Sequence, residues 1–229
     1  MNERPRENVS WPLLATLTED ERREVLALAR RRRFARNEVL CHEGDPADSL
    51  HLVARGRLSV RVSLDSGDSA MINVLGPGAY FGELALLSSN GRRTATISAL
   101  EGAETLVIDT AAFQRLRARN PAFERTISAL LGHRVEELSR RLLESMYLGL
   151  DRRLSQRLLE LRAEYANGDD SATVAVPLTQ TQLADLVGGT RPSVNQALQR
   201  LVDQGVVSVS RGRVEVLDVR KLRAKAGSL

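Results

Sequence analysis

The stretch GPGAYFGELALLSSNGRRTATISA, residues 76–99, holds the most distinctive arrangement of residue types in the chain. Gly76-Pro77-Gly78 indicates a turn, and Gly82 before the apolar run Leu84–Leu87 indicates one helical turn that begins at a glycine. Backbone N–H groups at such a helix start are free to bind an anion, and a glycine lets a phosphate come close to the backbone. The stretch therefore predicts an anion site.

The charged residues around this turn indicate what kind of anion would bind. Arg93 offers a guanidinium fork that suits a phosphate, and Thr94 adds a hydroxyl on the same segment. Glu83 would repel a phosphate alone, but its carboxylate can accept a hydrogen bond from a sugar hydroxyl if Arg93 offsets its charge. The three side chains together predict a ligand that carries both a phosphate and a ribose 2′-hydroxyl.

The pattern F-G-E-L-A-L-L followed by R-R-T-A-T resembles the phosphate-binding cassette of the cyclic-AMP receptor protein and fumarate-nitrate regulator family of bacterial transcription factors. The resemblance covers nearly the whole chain. It implies a cyclic nucleotide as allosteric ligand, with Glu83 at the ribose 2′-hydroxyl and Arg93 at the phosphate. The implied cassette contacts are Gly82, Glu83, Leu84, Arg93 and Thr94. The alternative is that Glu83 and Arg93 form only a structural ion pair in an empty barrel.

Composition limits the class of protein. The 229 residues are 42% hydrophobic and 27% charged, which indicates a globular chain long enough for two domains. It contains no run of eighteen apolar residues and its N-terminus is polar, so neither a membrane span nor a secretory signal is expected. The single cysteine, Cys41, allows no internal disulfide and no four-cysteine metal site. A cytoplasmic protein without a metal is expected.

Residues 34–109 carry short alternating apolar runs separated by glycines, which predict a β-roll or jelly roll able to enclose a small ligand. The positions expected to face its core are Leu50, Leu52, Leu58, Val60, Val62, Leu64, Ile72 and Val74. Residues 1–33 are interpreted as a leading helix whose last turn is Arg30–Arg33, because cations are favoured at a helix C-terminus. Residues 1–119 would form the cyclic-nucleotide-binding domain.

A long helix is predicted to begin at Asn120-Pro121 and to form a dimerisation helix over residues 120–148. Its apolar stripe follows the spacing of a two-stranded coiled coil: Phe123, Ile127, Leu131, Val135, Leu138, Leu142 and Met146. The resemblance also places the contacts to the base at Leu138 and Ser139. Because Leu138 cannot form a hydrogen bond, the base stays open between cyclic AMP, the first choice, and cyclic GMP.

Residues 149–229 are predicted to be a winged helix-turn-helix domain. Thr179 and Thr190 are expected to cap two helices around the Gly188-Gly189 turn, and residues 205–216 to form the wing. The candidate DNA contacts are Thr179, Arg191, Ser193, Asn195, Gln196, Arg200, Arg211 and Arg213. The excess of basic residues also lies here, since residues 178–229 contain eight Lys and Arg against four acids in a chain of net charge +4.

Two departures from the family's recognition helix predict a different operator. Arg191 matches an arginine that reads guanine, whereas Pro192 and Gln196 stand where the family has a glutamate and a second arginine. Arginine suits guanine and glutamine suits adenine, so one guanine of the half-site would remain while other positions change.

The sequence as a whole predicts an α+β protein that consists of a cyclic-nucleotide-binding β-roll, a long dimerisation helix and a winged helix-turn-helix. The expected function is that of a homodimeric DNA-binding transcription regulator under allosteric control, not an enzyme, with palindromic double-stranded DNA and RNA polymerase as partners. Two alternatives are a constitutive DNA-binding regulator with a degenerate or differently liganded barrel, and a regulatory module of an enzyme or channel. The second would need kinase motifs or a membrane span, which the sequence lacks.

Overall fold

The computed structural model describes residues 9–166 and 173–227. Contacts within the chain divide it into two compact units, Met1–Glu136 and Glu137–Leu229. Each unit is described by itself below.

The N-terminal unit begins with a short 3-10 turn, Pro12–Leu14, and helix α1, Glu19–Leu28. Trp11 is buried before the turn, and its indole N–H donates a 3.1 Å hydrogen bond to the carbonyl oxygen of Val53. A capping box starts α1: the Thr18 N–H donates to Glu21 Oε2 at 2.8 Å, and the Glu21 N–H donates to Thr18 Oγ1 at 3.3 Å. Thr18 is thus the N-cap of α1.

Eight strands follow and form two four-stranded antiparallel sheets. They are β1 Arg30–Phe34, β2 Val39–Cys41, β3 Ser49–Arg55, β4 Leu58–Ser63, β5 Ser69–Leu75, β6 Tyr80–Phe81, β7 Thr96–Ala99 and β8 Ala103–Asp109. One sheet has the order β1-β8-β3-β6 and the other β2-β7-β4-β5. Helix α2, Glu83–Leu87, lies between β6 and β7 in the chain. The β-roll predicted from the alternating apolar runs is confirmed.

The register of β5 differs from the prediction. Leu50, Leu52, Leu58 and Val60 are buried as expected, but Leu64 and Ile72 are exposed, and Val62 and Val74 are only half-buried. Met71 is the fully buried residue of β5. At Ile72 the cause is a bulge: Val60 pairs with Asn73 and the next residue, Arg61, pairs with Met71, so Ile72 is the extra residue and the alternation slips by one. Leu64 lies beyond the end of β4.

The interpretation of Arg30–Arg33 as the last turn of a helix is wrong. Helix α1 ends at Leu28, and these arginines form β1, which pairs antiparallel with β8. Arg31 Nη1 and Arg33 Nε lie 2.5 Å and 3.0 Å from the Glu104 carboxylate on β8, and the Arg32 guanidinium lies 5.2 Å from the centre of the Phe34 ring. Strand pairing and a carboxylate on the partner strand outweigh the local preference for cations at a helix end.

Two helices close the N-terminal unit: α3, Thr110–Arg119, and α4, Pro121–Tyr147. The long helix predicted to begin at Asn120-Pro121 is confirmed by α4, and the division between the units falls within it. The apolar stripe of α4 changes along its length. Phe123 and Ile127 are buried in the core, whereas Val135, Leu142 and Met146 are 61–63% exposed.

The C-terminal unit contains the predicted helix-turn-helix and wing. Its remaining elements are α5 Leu150–Ala166, β9 Val174–Val176, α6 Gln180–Val187, α7 Arg191–Asp203, β10 Val207–Ser210, β11 Arg213–Val216 and α8 Val219–Ala226. The three strands form an antiparallel sheet of order β10-β11-β9. Helix α8 was not predicted, and Leu222 and Ala226 on it are buried. Within residues 9–166 and 173–227, no helix is long and apolar enough to cross a membrane.

Candidate functional site

Gly82 is the N-cap of α2 and has a φ of +99°, a conformation that L side chains rarely adopt. A Cβ on this residue would lie 2.3 Å from Arg93 Nη1 and 2.6 Å from the Ser49 carbonyl oxygen. The position therefore requires glycine for two reasons, the backbone angle and the close approach of β3 and Arg93.

Arg93 is only 6% exposed, and β3 holds one side of its guanidinium. Nη1 donates to the Ser49 carbonyl oxygen at 2.8 Å, and Nη2 donates to Asp48 Oδ1 and to Ser49 Oγ, both at 3.1 Å. Nε is buried and has no hydrogen-bond partner among the described residues. A buried N–H without an acceptor costs free energy, so an anion that reached Nε would be favoured there.

Glu83 lies in a mixed environment at the start of α2. Burial raises the pKa of its carboxyl group, while the positive charges of Arg134 and Arg93 act in the opposite direction. The same group affects Tyr80, whose pKa is raised to about 12, first by burial and then by the charge of Glu83. The cassette thus combines the buried cation of Arg93 with the carboxyl group of Glu83, which can accept a hydrogen bond from a hydroxyl.

Sequence reasoning did not single out Arg134 on α4. Its charge acts on both Glu83 and Tyr80, so this residue of α4 lies near the cassette. The spacing of apolar residues along α4 shows only which residues are outside the stripe, and it carries no signal that would single out Arg134.

The remaining predicted ligand contacts are exposed. Leu84 is on α2 and Thr94 follows Arg93 directly. Leu138 and Ser139 are exposed on α4, in the part of that helix that belongs to the C-terminal unit. The structure therefore brings Gly82, Glu83 and Arg93 together in the N-terminal unit.

The helix-turn-helix has the geometry expected for a DNA-reading element. The Thr179 side chain accepts the Gln182 N–H at 3.2 Å and caps α6, and Thr190 caps α7 by accepting the Ser193 N–H at 3.3 Å. Gly188 ends α6 with a φ of +60°. Arg191 at the start of α7 is exposed, as is Gln196 on its next turn, so both are available to base edges.

Three other candidates, Arg200, Arg213 and Ser193, already have contacts within the unit. Arg200 Nε lies 3.0 Å from Asp151 Oδ2, and Arg213 on the wing pairs with Glu215. Ser193 Oγ lies 2.9 Å from Thr190 Oγ1. Asn195 is only half-exposed, and its Oδ1 is buried without a hydrogen-bond partner among the described residues. Arg211 is exposed at the wing turn.

The described residues contain no group of three or more His, Cys, Asp or Glu side chains that could hold a metal ion.

The chain resembles known proteins in both units. Residues 31–120 match the family described as the cyclic nucleotide-binding domain, and residues 152–225 match the Crp-like helix-turn-helix domain. The chain is 29% identical over 221 residues to the cyclic AMP receptor protein of Thermus thermophilus, covering 95% of this chain and 98% of the relative. It is 30% identical over 214 residues to the probable transcriptional regulator flp of Lacticaseibacillus casei, covering 92% and 94%. The fold matches that of the c-di-GMP responsive regulator CLP of Xanthomonas campestris with a TM-score of 0.74 and 21% identity, over 88% of this chain and 100% of that one.

A β-roll that matches the cyclic nucleotide-binding domain, joined in one chain to a winged helix-turn-helix, defines a DNA-binding transcription regulator. The two domain matches and the relatives lead to one family. The chain belongs to the cyclic-AMP receptor protein and fumarate-nitrate regulator family, whose members are transcription regulators and not enzymes.

Proposed function

We propose that this protein is a homodimer whose binding to operator DNA is controlled by a cyclic nucleotide in the β-roll, with cyclic AMP as the first candidate and cyclic GMP as the second. The observation that carries the proposal is the buried guanidinium of Arg93 beside Gly82, with Nε lacking a partner among the described residues. A cyclic phosphate offers acceptor oxygens to that nitrogen and to the N–H groups that begin α2.

The other cassette residues would recognise the rest of the nucleotide. Glu83 would accept the ribose 2′-hydroxyl, and Leu84 and Thr94 would contact the ligand from the rim of the site. Arg134 would offset the charge of Glu83 from α4. Leu138 and Ser139 would face the base, and Ser139 is the one of the two that can form a hydrogen bond. The name of the Thermus thermophilus relative, cyclic AMP receptor protein, supports the choice of ligand.

The proposed domains are residues 1–119 for nucleotide binding, 120–148 for dimerisation and 149–229 for DNA binding. The exposed half of the α4 stripe, with Val135, Leu138, Leu142 and Met146, would pack against a second copy of this chain. Two recognition helices held about 34 Å apart would then reach successive major grooves of a palindromic operator. RNA polymerase would be a further partner.

Control by the nucleotide would follow from thermodynamic linkage. If the nucleotide favours the dimer arrangement that also binds DNA, each ligand must tighten the binding of the other.

The proposed DNA contacts have two different roles. Arg191 and Gln196 would read bases, whereas Thr179, Ser193, Asn195, Arg200, Arg211 and Arg213 would position the domain on the duplex.

A calorimetric titration with cyclic AMP and cyclic GMP tests the proposal, with Arg93→Ala compared to Arg92→Ala. Arg92 is the matched control because it is the neighbouring residue but is exposed, donating to the Gly44 carbonyl oxygen at 2.7 Å. We expect binding in the wild type and in Arg92→Ala, and its loss in Arg93→Ala. Equal affinity in all three proteins would contradict the assigned cassette.

A second function is favoured by one observation. Asp48 and Ser49 already accept hydrogen bonds from Nη1 and Nη2 of Arg93. A barrel without a ligand would need such acceptors within the protein for its buried arginine. The alternative is thus a constitutive DNA-binding regulator with a degenerate or differently liganded barrel. Operator binding of unchanged strength with and without cyclic nucleotide, at two temperatures, would favour it.

The operator itself can be determined by selection from random DNA. With Pro192 and Gln196 in place of the family's glutamate and arginine, we expect one guanine of the half-site to be kept and other positions to change. Recovery of the unmodified family consensus would disprove this reading of α7.

A further inference from the structure

His51 is a buried histidine of β3 that neither the cassette motif nor the proposed function uses. Its side chain lies between two hydroxyl groups: Nε2 is 3.2 Å from Ser49 Oγ and Nδ1 is 3.1 Å from Thr105 Oγ1. Ser49 and Thr105 are also buried. Three buried polar side chains from β3 and β8 therefore form a continuous hydrogen-bonded chain, and its last member, Ser49, contacts Arg93.

The hydrogen-bond inventory of Ser49 determines the direction of this chain. A serine hydroxyl has one proton to donate and two lone pairs that accept. Ser49 Oγ lies 2.7 Å from Asp48 Oδ1, which can only accept, so the hydroxyl proton goes to Asp48. Arg93 Nη2 can only donate, so the hydroxyl accepts from it. The second lone pair remains for His51, which must then carry its proton on Nε2 and accept from Thr105 on Nδ1.

We propose that His51 is a positioning residue for the phosphate-binding arginine, which it holds in place through the hydroxyl of Ser49. The inference rests on the proposed function, because it assigns a role within the same nucleotide site. The Ser49 hydroxyl donates its proton to Asp48 and accepts from His51 with one lone pair, so its other lone pair points at Arg93 Nη2. This contact holds the guanidinium against β3. The nitrogen left without a protein acceptor, Nε, is then presented in one orientation.

His51 also supports the other side of the cassette. It pairs with Phe81 in the β3–β6 register, and the two rings stack with centroids 4.5 Å apart and an interplanar angle of 19°. Phe81 directly precedes Gly82, so one imidazole contacts both the segment that presents the glycine and the serine that orients the arginine. A phenylalanine in place of His51 would keep the stacking and lose the hydrogen bonds.

The charge state of His51 fits this role. Burial and then the nearby charges of Arg93 and Arg32 lower its pKa to about 4, against an opposing effect of Asp48. The imidazole is therefore neutral near pH 7 and places no second positive charge against Arg93. A neutral ring with one N–H and one acceptor nitrogen is what the two hydroxyl neighbours require.

The experiment compares His51→Phe, His51→Gln and Ser49→Ala with the wild type by calorimetric titration with cyclic AMP and cyclic GMP. We expect His51→Phe to weaken nucleotide binding by about five- to tenfold, the range of one lost orienting hydrogen bond. Gln carries an amide N–H at a reach similar to Nε2, so His51→Gln should recover most of the affinity. Ser49→Ala breaks the same chain and leaves the ring stacking intact, so it should match His51→Phe and shows the effect even if His51→Phe folds poorly.

A double-mutant cycle separates positioning from general loss of structure. In an Arg93→Lys background, which has no fork to orient, His51→Phe should cause no further loss if it acts through the arginine. An equal loss in both backgrounds would overturn the inference, as would a wild-type affinity in both His51→Phe and Ser49→Ala. Failure of the wild-type protein to bind either nucleotide is a different result, since it rejects the proposed function together with the inference.

Discussion

Gly82 and Gly67 have left-handed backbone angles for different reasons. Gly67 lies in the β4–β5 turn with a φ of +86°, and a Cβ there would meet nothing within 4 Å. Gly82 has a similar φ of +99°, but its Cβ would overlap the Arg93 guanidinium and the Ser49 carbonyl oxygen. The backbone strain is therefore comparable at the two positions, and only Gly82 adds a steric conflict inside the candidate site.

This contrast yields a matched prediction. Gly67→Ala should cost about 1–2 kcal/mol of unfolding free energy, the cost of a left-handed alanine. Gly82→Ala should cost about 1–3 kcal/mol more because of overlap with buried atoms, and it should also reduce nucleotide binding. Chemical denaturation and calorimetry of the two variants measure both effects. Equal destabilisation with unchanged binding would show that the close approach of Arg93 to Gly82 is unimportant.

The lowered pKa of His51 predicts a pH dependence of stability. In the unfolded chain this histidine would protonate near its ordinary pKa of 6.5, whereas in the folded protein it stays neutral down to about pH 4. Between these values the unfolded state binds more protons, so stability falls as the pH is lowered from 6.5 to 4. The loss is on the order of 3 kcal/mol for a shift of this size.

His51→Gln removes this titration while keeping a side-chain amide in the barrel. Its unfolding free energy should depend less on pH than that of the wild type between pH 6.5 and 4, because the carboxylates titrate in both proteins and cancel in the difference. Urea denaturation across this range measures the effect. Parallel curves for the two proteins would mean that His51 binds a proton as readily in the folded protein as in the unfolded chain.

For single residues, the sequence is enough to identify the cassette, but not the side chains on and beside β3 that hold Arg93 in place. Gly82, Glu83 and Arg93 lie within one short segment, so their spacing could be read directly. Asp48, Ser49 and His51 are more than forty residues from Arg93 in the chain, and they come near it because backbone hydrogen bonds join Arg93 to Gly44 and Asp45, just before β3. A motif carries local information, and these contacts are not local.

Among the elements, β1 and β5 show where local patterns fail. Four consecutive arginines favour a helix end by their charge, but Glu104 on β8 and the edge of a sheet decide the structure of β1. In β5 the alternation of apolar residues is regular in the sequence and is broken by the bulge opposite Val60 and Arg61. Long elements with a strong period, such as α4 and the two helices of the DNA-reading motif, were predicted correctly.

The exposed half of the α4 stripe leads to a prediction about dimerisation. Leu142→Lys places a charge where a second helix would pack, so the dimer should weaken by at least about tenfold, since burial of one leucine side chain is worth about 1.5–3 kcal/mol. Glu136→Lys introduces the same residue outside the stripe, at a position whose side chain is 83% exposed. Sedimentation velocity over a range of protein concentrations distinguishes the two variants.

The contrary result is equally informative. If Leu142→Lys and Glu136→Lys leave the same oligomeric state as the wild type, the exposed apolar residues of α4 are not the contact between copies. If both variants become monomers, charge on α4 in general opposes association and the stripe has no special role.

For the whole molecule, linkage makes a quantitative prediction. The factor by which cyclic nucleotide tightens DNA binding must equal the factor by which DNA tightens nucleotide binding, and about 5–150-fold is the usual range for such coupling. Fluorescence anisotropy with labelled operator measures the first factor, and nucleotide titration of the protein–DNA complex measures the second. A factor of one in both directions would leave a regulator whose two domains act independently.

The basic excess of the C-terminal residues bears on the same measurement. Net charge of this kind makes DNA affinity strongly dependent on salt, because counterions are released from the phosphates. The two coupling factors should therefore be compared at one ionic strength. Arg191→Ala should relax sequence preference, whereas Arg211→Ala on the wing should weaken binding to all sequences alike.

Trp11 is the only tryptophan of the chain, and its indole is buried in the N-terminal unit with its N–H on the Val53 carbonyl oxygen. Indole emission therefore reports the unfolding of that unit alone, while far-ultraviolet ellipticity reports helices in both. The two signals will share one transition midpoint if the units unfold together and will separate if they do not. One native fluorophore thus measures the thermodynamic independence of the β-roll without any label.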